Sequence, residues 1–245
     1  MDKKKFSLIK KGSNKQSVLE ELALNQIWVC RQPFRFFGIE IGVRMTVIRF
    51  PDERLFLHSP VQLDELLKSQ LDKLGVVKYI VSPNNMHHFY IGDYFDVYPD
   101  ASIYASPGLK EKRADLNFRY QLHDQPEDVW HNELDQILFQ GDDRLQEIVL
   151  FHYATKTLLL GDLIMNFDDQ YPPLTRMTAK FMGMYNQPVS TIRTTLTDTQ
   201  KKMAKYSVER ILKWDFDRII LSHGQIIKEN GREIFKQAFA WLDEA

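Results

Sequence analysis

The chain has 245 residues, 44% of them hydrophobic and 27% charged, which is the balance of a soluble globular protein and excludes a disordered, fibrous or low-complexity chain. Lys+Arg 32 against Asp+Glu 33 gives a formal net charge of -1, so no global basic field exists to gather a nucleic-acid backbone. No apolar run reaches the roughly 18 residues that a membrane span needs.

Nothing in the chain reads as a linker or an internal repeat, so a single domain over residues 1–245 is expected, with a basic tail over about residues 1–18. That tail, MDKKKFSLIKKGSNKQSV, is not followed by an apolar segment and does not read as a secretory signal. A cytoplasmic protein with a small-molecule partner, and neither nucleic acid nor membrane, is the expectation. The only cysteine, Cys30, excludes an intrachain disulfide and a cysteine-based zinc site.

Short β-type runs come first: Gln26 to Cys30, Phe36 to Ile41, Arg44 to Phe50, and Leu55 to Leu57 ending at His58. Leu63, Leu66, Leu67, Leu71 and Leu74 then repeat at helical spacing, and Gly75 stops the helix. VVKYIVS reads as a buried strand, His87 to Tyr98 as a helix, SIYA as a strand and PGLKEKRADL as a short helix. Ile137 to Phe139, Glu147 to His152 and Thr157 to Leu160 are further strands, the last two joined through YATK as a hairpin. Helices over Pro173 to Tyr185 and Thr197 to Trp214, the strand DRIILS and a helix from Arg232 to Leu242 complete the chain. Strands alternating with helices, with hairpins among them, predict a mixed α/β fold.

Three apolar strands end at polar residues: VVKYIVS at Pro83-Asn84-Asn85-Met86-His87-His88, TLLL at Gly161-Asp162, and DRIIL at Ser222-His223-Gly224. In α/β sheets ligands bind beyond the carboxyl ends of strands. Neighbouring strands would therefore bring His87, His88, Asp162 and His223 to one edge, a donor set suited to zinc, iron or manganese. His58 also ends a strand and could reach that edge as a supporting or substrate contact. His152 reads as structural. His123 and His131, among Asp124, Glu127, Asp128 and Glu133, read as a solvated loop. The aromatic runs FRFFG (Phe34 to Gly38) and FMGMY (Phe181 to Tyr185) read as core, although the second could line a pocket over the metal site.

This order of strand, His-rich turn and helix, then hairpin-Gly-Asp, then strand-Ser-His-Gly, resembles the metallo-β-lactamase superfamily and, more closely, its DUF4336-type branch. The segments IVSPNNMHHFYIGDYFDVYPDASIYASPG, TKTLLLGDL and IILSHG carry the likeness, which runs roughly from Ile27 to His223. It implies an αβ/βα sandwich, two mixed sheets between outer helices. Matching Ser82 to the residue before the superfamily's His-x-His-x-Asp-His turn puts Pro83 and Asn85 in place of its first two histidines. His87 then replaces the motif Asp and His88 keeps the motif His. The third histidine of the first metal site, expected near Asp142, is not evident in GDDRLQE. The likeness thus implies a dismantled first site and one divalent transition metal (zinc, iron or manganese) on His87, His88, Asp162 and His223.

The expected activity is a metal-dependent hydrolysis of an ester, thioester, amide or phosphoester, with Asn85 or Asp93 orienting the water. Four protein ligands would close a tetrahedral zinc, so either the ion has a larger shell or one candidate does not bind. The alternative is a non-catalytic protein that keeps the fold for binding or scaffolding. Di-iron redox chemistry is disfavoured by the missing first-site ligands.

Overall fold

In the computed structural model, which describes residues 17–244, a seven-stranded sheet is assembled in the order β1-β2-β5-β6-β7-β8-β9. Its strands are β1 (Leu19–Ala23), β2 (Ile27–Gln32), β5 (Val43–Arg49), β6 (Arg54–His58), β7 (Val76–Val81), β8 (Ser102–Ala105) and β9 (Tyr120–Gln121); β3 (Arg35–Phe36) and β4 (Ile39–Glu40) form a separate hairpin. The first four strands pair antiparallel. From β6 onward pairing is parallel, each crossover carrying a helix: α1 (Glu65–Leu74), α2 (Asp93–Val97) and α3 (Leu109–Lys112). The second sheet, β10 (Leu134–Leu138), β11 (Ile148–His152), β12 (Thr157–Leu160) and β15 (Arg218–Leu221), is antiparallel until β12 meets β15 in parallel. Between those two strands the chain passes through β13 (Ile164–Met165), α4 (Pro173–Phe181), β14 (Val189–Ser190) and α5 (Asp198–Ile211), and α6 (Gly231–Ala238) follows β15.

Three apolar layers hold these elements together. Ile27, Ile48, Phe56 and Tyr79 of the first sheet meet Leu134, Ile148, Leu150 and Leu159 of the second, so the sheets pack face to face. The outer face of the first sheet buries Leu55, Leu57 and Ile80 against Leu67 and Leu71 of α1 and Tyr94 of α2. That of the second buries Leu158, Leu160 and Ile219 against Ala204 and Val208 of α5 and Phe235 of α6. The architecture is therefore the expected mixed α/β sandwich, helix–sheet–sheet–helix. Among the described residues, no helix is long and apolar enough to cross a membrane.

Residues 1–16, most of the expected tail, lie outside the described residues. Ser17 is buried, and its N–H and hydroxyl both donate to the Asp64 carboxylate. Asp64 also caps α1, accepting from Leu67 N–H at 2.7 Å.

Several elements differ from the sequence expectation. The run from Phe36 to Ile41 is the β3–β4 hairpin rather than one strand, because Phe37 (φ 47) and Gly38 (φ 84) both take left-handed conformations that reverse the chain. The helix expected from His87 to Tyr98 shrinks to α2. The Asn84 side-chain oxygen captures the N–H groups of Met86 and His87, and helical bonding begins only near Tyr90. The helix expected to run to Tyr185 ends at Phe181, where Gly183 (φ 73) turns the chain. The short strands β1, β9, β13 and β14 carry too few apolar residues to stand out.

Because Leu67 is fully buried between α1 and the first sheet, Leu67→Ala should destabilise the protein by about 2–5 kcal/mol. Chemical denaturation measures this, and an unchanged midpoint would contradict the packing described.

Candidate metal centre

The parallel pairing of β12 with β15 and of β6 with β7 delivers four strand ends to the same edge of the sandwich. Asp162 follows β12, His223 follows β15, and His87 lies in the turn after β7. Possible ligand atoms of these three side chains lie within 4.8 Å of one another, and all three residues are buried. His87 Nε2 is 3.3 Å from Asp162 Oδ2, and His223 Nε2 is 3.3 Å from Asp162 Oδ1. The two imidazole rings stand 5.1 Å apart.

Each imidazole is fixed from behind. Ser59, which follows β6 in a left-handed conformation (φ 57), meets His87 Nδ1 with its hydroxyl at 2.6 Å. His223 Nδ1 is hydrogen-bonded to the carbonyl of Gly42, a contact in which the ring N–H must donate. Each Nε2 is thereby left facing Asp162, the arrangement by which outer contacts orient metal-ligating histidines. Burial, helped by the charges of His87 and Arg44, pushes the His223 pKa down to about 4. At neutral pH its Nε2 therefore presents a lone pair to an anionic oxygen. Burial opposes protonation of His87 too, but the charge of Asp162 outweighs it and raises the pKa. The buried Nε2 of His87 is thereby paired with Asp162 Oδ2.

Behind Asp162 lies a second carboxylate that sequence reasoning missed. Glu147, 1% exposed, accepts the N–H groups of Gly161 (2.8 Å) and Asp162 (2.7 Å). Asn84, fully buried, joins the two acids: its amide nitrogen donates to Glu147 Oε2 at 2.8 Å and to Asp162 Oδ2 at 3.0 Å. The side-chain oxygen of Asn84 already accepts two backbone N–H groups, so the amide can face the carboxylates only with its nitrogen. Gly161 makes room for this knot, since a Cβ there would lie 2.5 Å from Asn84 Nδ2 and 2.8 Å from Glu147 Oε2. Burial and then the charge of Asp162 push the Glu147 pKa up to about 7. Asp162, although buried, is held well below the usual carboxylate range by His87, His223 and Asn84.

A cation fits this donor set. Two buried acids, Asp162 and Glu147, lie beside a single imidazole whose proton affinity is raised, and a cation among the three side chains would offset that imbalance. Two imidazoles and a carboxylate match zinc, iron or manganese. Cys30 offers no thiolate, being buried with its pKa pushed up to about 12.

The other expected site residues are not part of this three-residue group. His88 Nδ1 lies 3.1 Å from the Arg113 guanidinium, and burial together with Lys112 and Arg113 pushes its pKa down to about 3. Asn85 accepts from the Ser106 hydroxyl at 3.3 Å, beside the turn into α3. Asp93 opens α2 with an exposed side chain. His58 is buried at the end of β6, where burial and the charge of His87 bring its pKa to about 3. The cluster opens into a cavity of about 330 Å³. Phe34 and Phe36 of FRFFG line that cavity, whereas Met184 of FMGMY packs into a separate apolar cluster and Phe181 is exposed.

A family model described as "Domain of unknown function (DUF4336)" matches residues 24–206. No curated protein sequence matches the chain. Among solved structures, DIM-1 metallo-β-lactamase exposed to ceftazidime is similar at 15% identity and a TM-score of 0.67, covering 96% of this chain and 99% of that one. The metal-soaked flavodiiron core of Flv1 from Synechocystis sp. PCC6803 is similar at 13% identity and a TM-score of 0.66, over 93% of this chain and 61% of that one. FIM-1 from Pseudomonas aeruginosa in its mono-zinc form reaches 13% identity and a TM-score of 0.62, over 93% and 95%. These likenesses establish the metallo-β-lactamase fold.

Asn84→Ala should destabilise the metal-free protein by about 1–3 kcal/mol, because two backbone N–H groups and two carboxylates lose a buried partner at once. Equilibrium denaturation in a chelator measures it, and a variant as stable as the parent would contradict the bridging role.

Proposed function

The chain belongs to the family of DUF4336 domains, and on that footing we propose that it is a metal-dependent hydrolase whose single ion is held by His87, Asp162 and His223. The observation that carries the reading is the His223 imidazole, whose Nδ1–H is committed to Gly42 while its unprotonated Nε2 faces the Asp162 carboxylate. Three protein ligands, rather than four, favour a catalytic over a structural site, since catalytic zinc keeps a coordination position open. A divalent ion bound there supplies Lewis acidity toward water and toward the electrophilic group of an ester, thioester, amide or phosphoester.

The chain's own residues hold this site in place. Ser59 and Gly42 fix the ring planes of His87 and His223. Asn84 aligns Oδ2 of Asp162, Glu147 grips the backbone N–H of Asp162, and the Thr191 hydroxyl donates to its carbonyl at 2.6 Å. Asp162 is thus immobilised on three sides, the kind of support without which a ligand set loses affinity.

Reconstituted with zinc, iron or manganese and then desalted, the protein should retain about one ion per chain. Asp162→Ala and His223→Ala should lose it with unchanged circular dichroism, whereas His88→Ala should keep it. Hydrolysis of p-nitrophenyl acetate should follow metal content. Two ions per chain, or none, would overturn the assignment. One ion without turnover of any ester, thioester, amide or phosphoester would support a non-catalytic binding protein instead.

A further inference from the structure

The cavity over the cluster shows what kind of molecule it accepts. At about 330 Å³, and allowing roughly 30 Å³ per water-sized group, it has room for about ten non-hydrogen atoms. Its walls are apolar: Phe34, Phe36, Met86, Phe89, Leu145 and Met165 line it. The Phe34 ring lies 5.6 Å from that of Phe89 and 6.2 Å from that of His223. The apolar wall therefore stands directly against one of the three clustered side chains.

Two of the polar groups around the cavity, Arg144 and Thr191, are already committed. Arg144 is the only Lys or Arg among its lining residues, and its guanidinium is held by both oxygens of Asp142, at 3.0 and 2.8 Å, and by the Thr195 hydroxyl. The hydroxyl of Thr191 is taken by the Asp162 carbonyl. In the metal-free protein a phosphate or carboxylate would thus meet the anionic Asp162 without a free Lys or Arg beside it.

Resting on the hydrolase reading above, we propose that the substrate is an ester or thioester whose acyl part is uncharged and apolar, aromatic or branched alkyl, of about ten non-hydrogen atoms or fewer, seated between Phe34, Phe89 and Met165. In the reaction one water is consumed. Its oxygen forms the new bond to the acyl carbon, the acyl–oxygen or acyl–sulfur bond breaks, and the leaving alcohol or thiol takes up a proton.

Two measurements on the full chain separate this proposal from the hydrolase reading. The first is calorimetric binding of 4-phenyl-2-butanone, an uncharged ketone that cannot be hydrolysed, to chelator-treated protein, with dihydroxyacetone phosphate as the anionic comparison. The ketone should bind and the phosphate should not. Phe36→Glu, a change at an exposed position of the β3–β4 hairpin that lines the cavity, should weaken ketone binding about tenfold or more with unchanged circular dichroism. The second is kcat/KM for p-nitrophenyl esters from acetate to hexanoate with metal-loaded protein. It should rise about fourfold per added methylene, the ~0.8 kcal/mol of a buried methylene. Ketone binding that Phe36→Glu abolishes, without turnover of any ester, would uphold the apolar site and sink the hydrolase reading. Turnover that is indifferent to chain length, with no ketone binding, would overturn the substrate class and leave the hydrolase intact.

Discussion

A carboxylate kept ionised inside the protein is the constraint around which this edge of the sandwich is built. Removing an ion of this size from water costs several kcal/mol even after relaxation, and Asp162 is only 7% exposed. Its oxygens are met by an amide nitrogen from Asn84 and by two imidazoles, and its backbone N–H and carbonyl are tied to Glu147 and Thr191. Yet Glu147 brings a second buried acid, and only one of the imidazoles has its affinity for a proton raised. A divalent cation between His87, Asp162 and His223 would remove this imbalance of charge.

The knot of Asn84, Gly161 and Glu147 also suits the one-ion site proposed above. The superfamily likeness matches Pro83 and Asn85 to two ligands of a first metal, and neither side chain is a strong donor for these ions. Asn84 and Glu147 instead form an internal hydrogen-bonded bridge behind Asp162, with every polar atom of the asparagine amide engaged. An amide bridge to Glu147 thus backs the second set of ligands.

Much of this was legible in the chain because strands announce themselves. The apolar runs before Ser82, Gly161 and Ser222 are strands buried at their carboxyl ends, and polar residues placed just past such runs must emerge at the sheet edge. His87, Asp162 and His223 were found in this way. The sequence could not separate His87 from His88, since consecutive residues in a turn diverge by an amount that only the local backbone sets; here Asn84 captures Met86 and His87, and Arg113 draws His88 aside. Asn84 itself was hidden beside Asn85, the choice between them depending on the same turn. Glu147 left a faint signal, a lone acid opening the apolar run EIVLFH, which is odd unless the acid is buried with partners. FRFFG is core at Phe34, as expected, and cavity wall at Phe34 and Phe36; the exposure of Phe37 goes with its left-handed turn into Gly38, a conformation that nothing in an aromatic run announces.

The most direct test of the account is an anomalous-difference map from crystals of the reconstituted protein, recorded at the absorption edge of the bound metal. The account predicts one peak, within bonding distance of His87 Nε2, His223 Nε2 and an oxygen of Asp162. A peak held by His88, a second peak beside Asn84 and Glu147, or an empty map at full metal loading would contradict it.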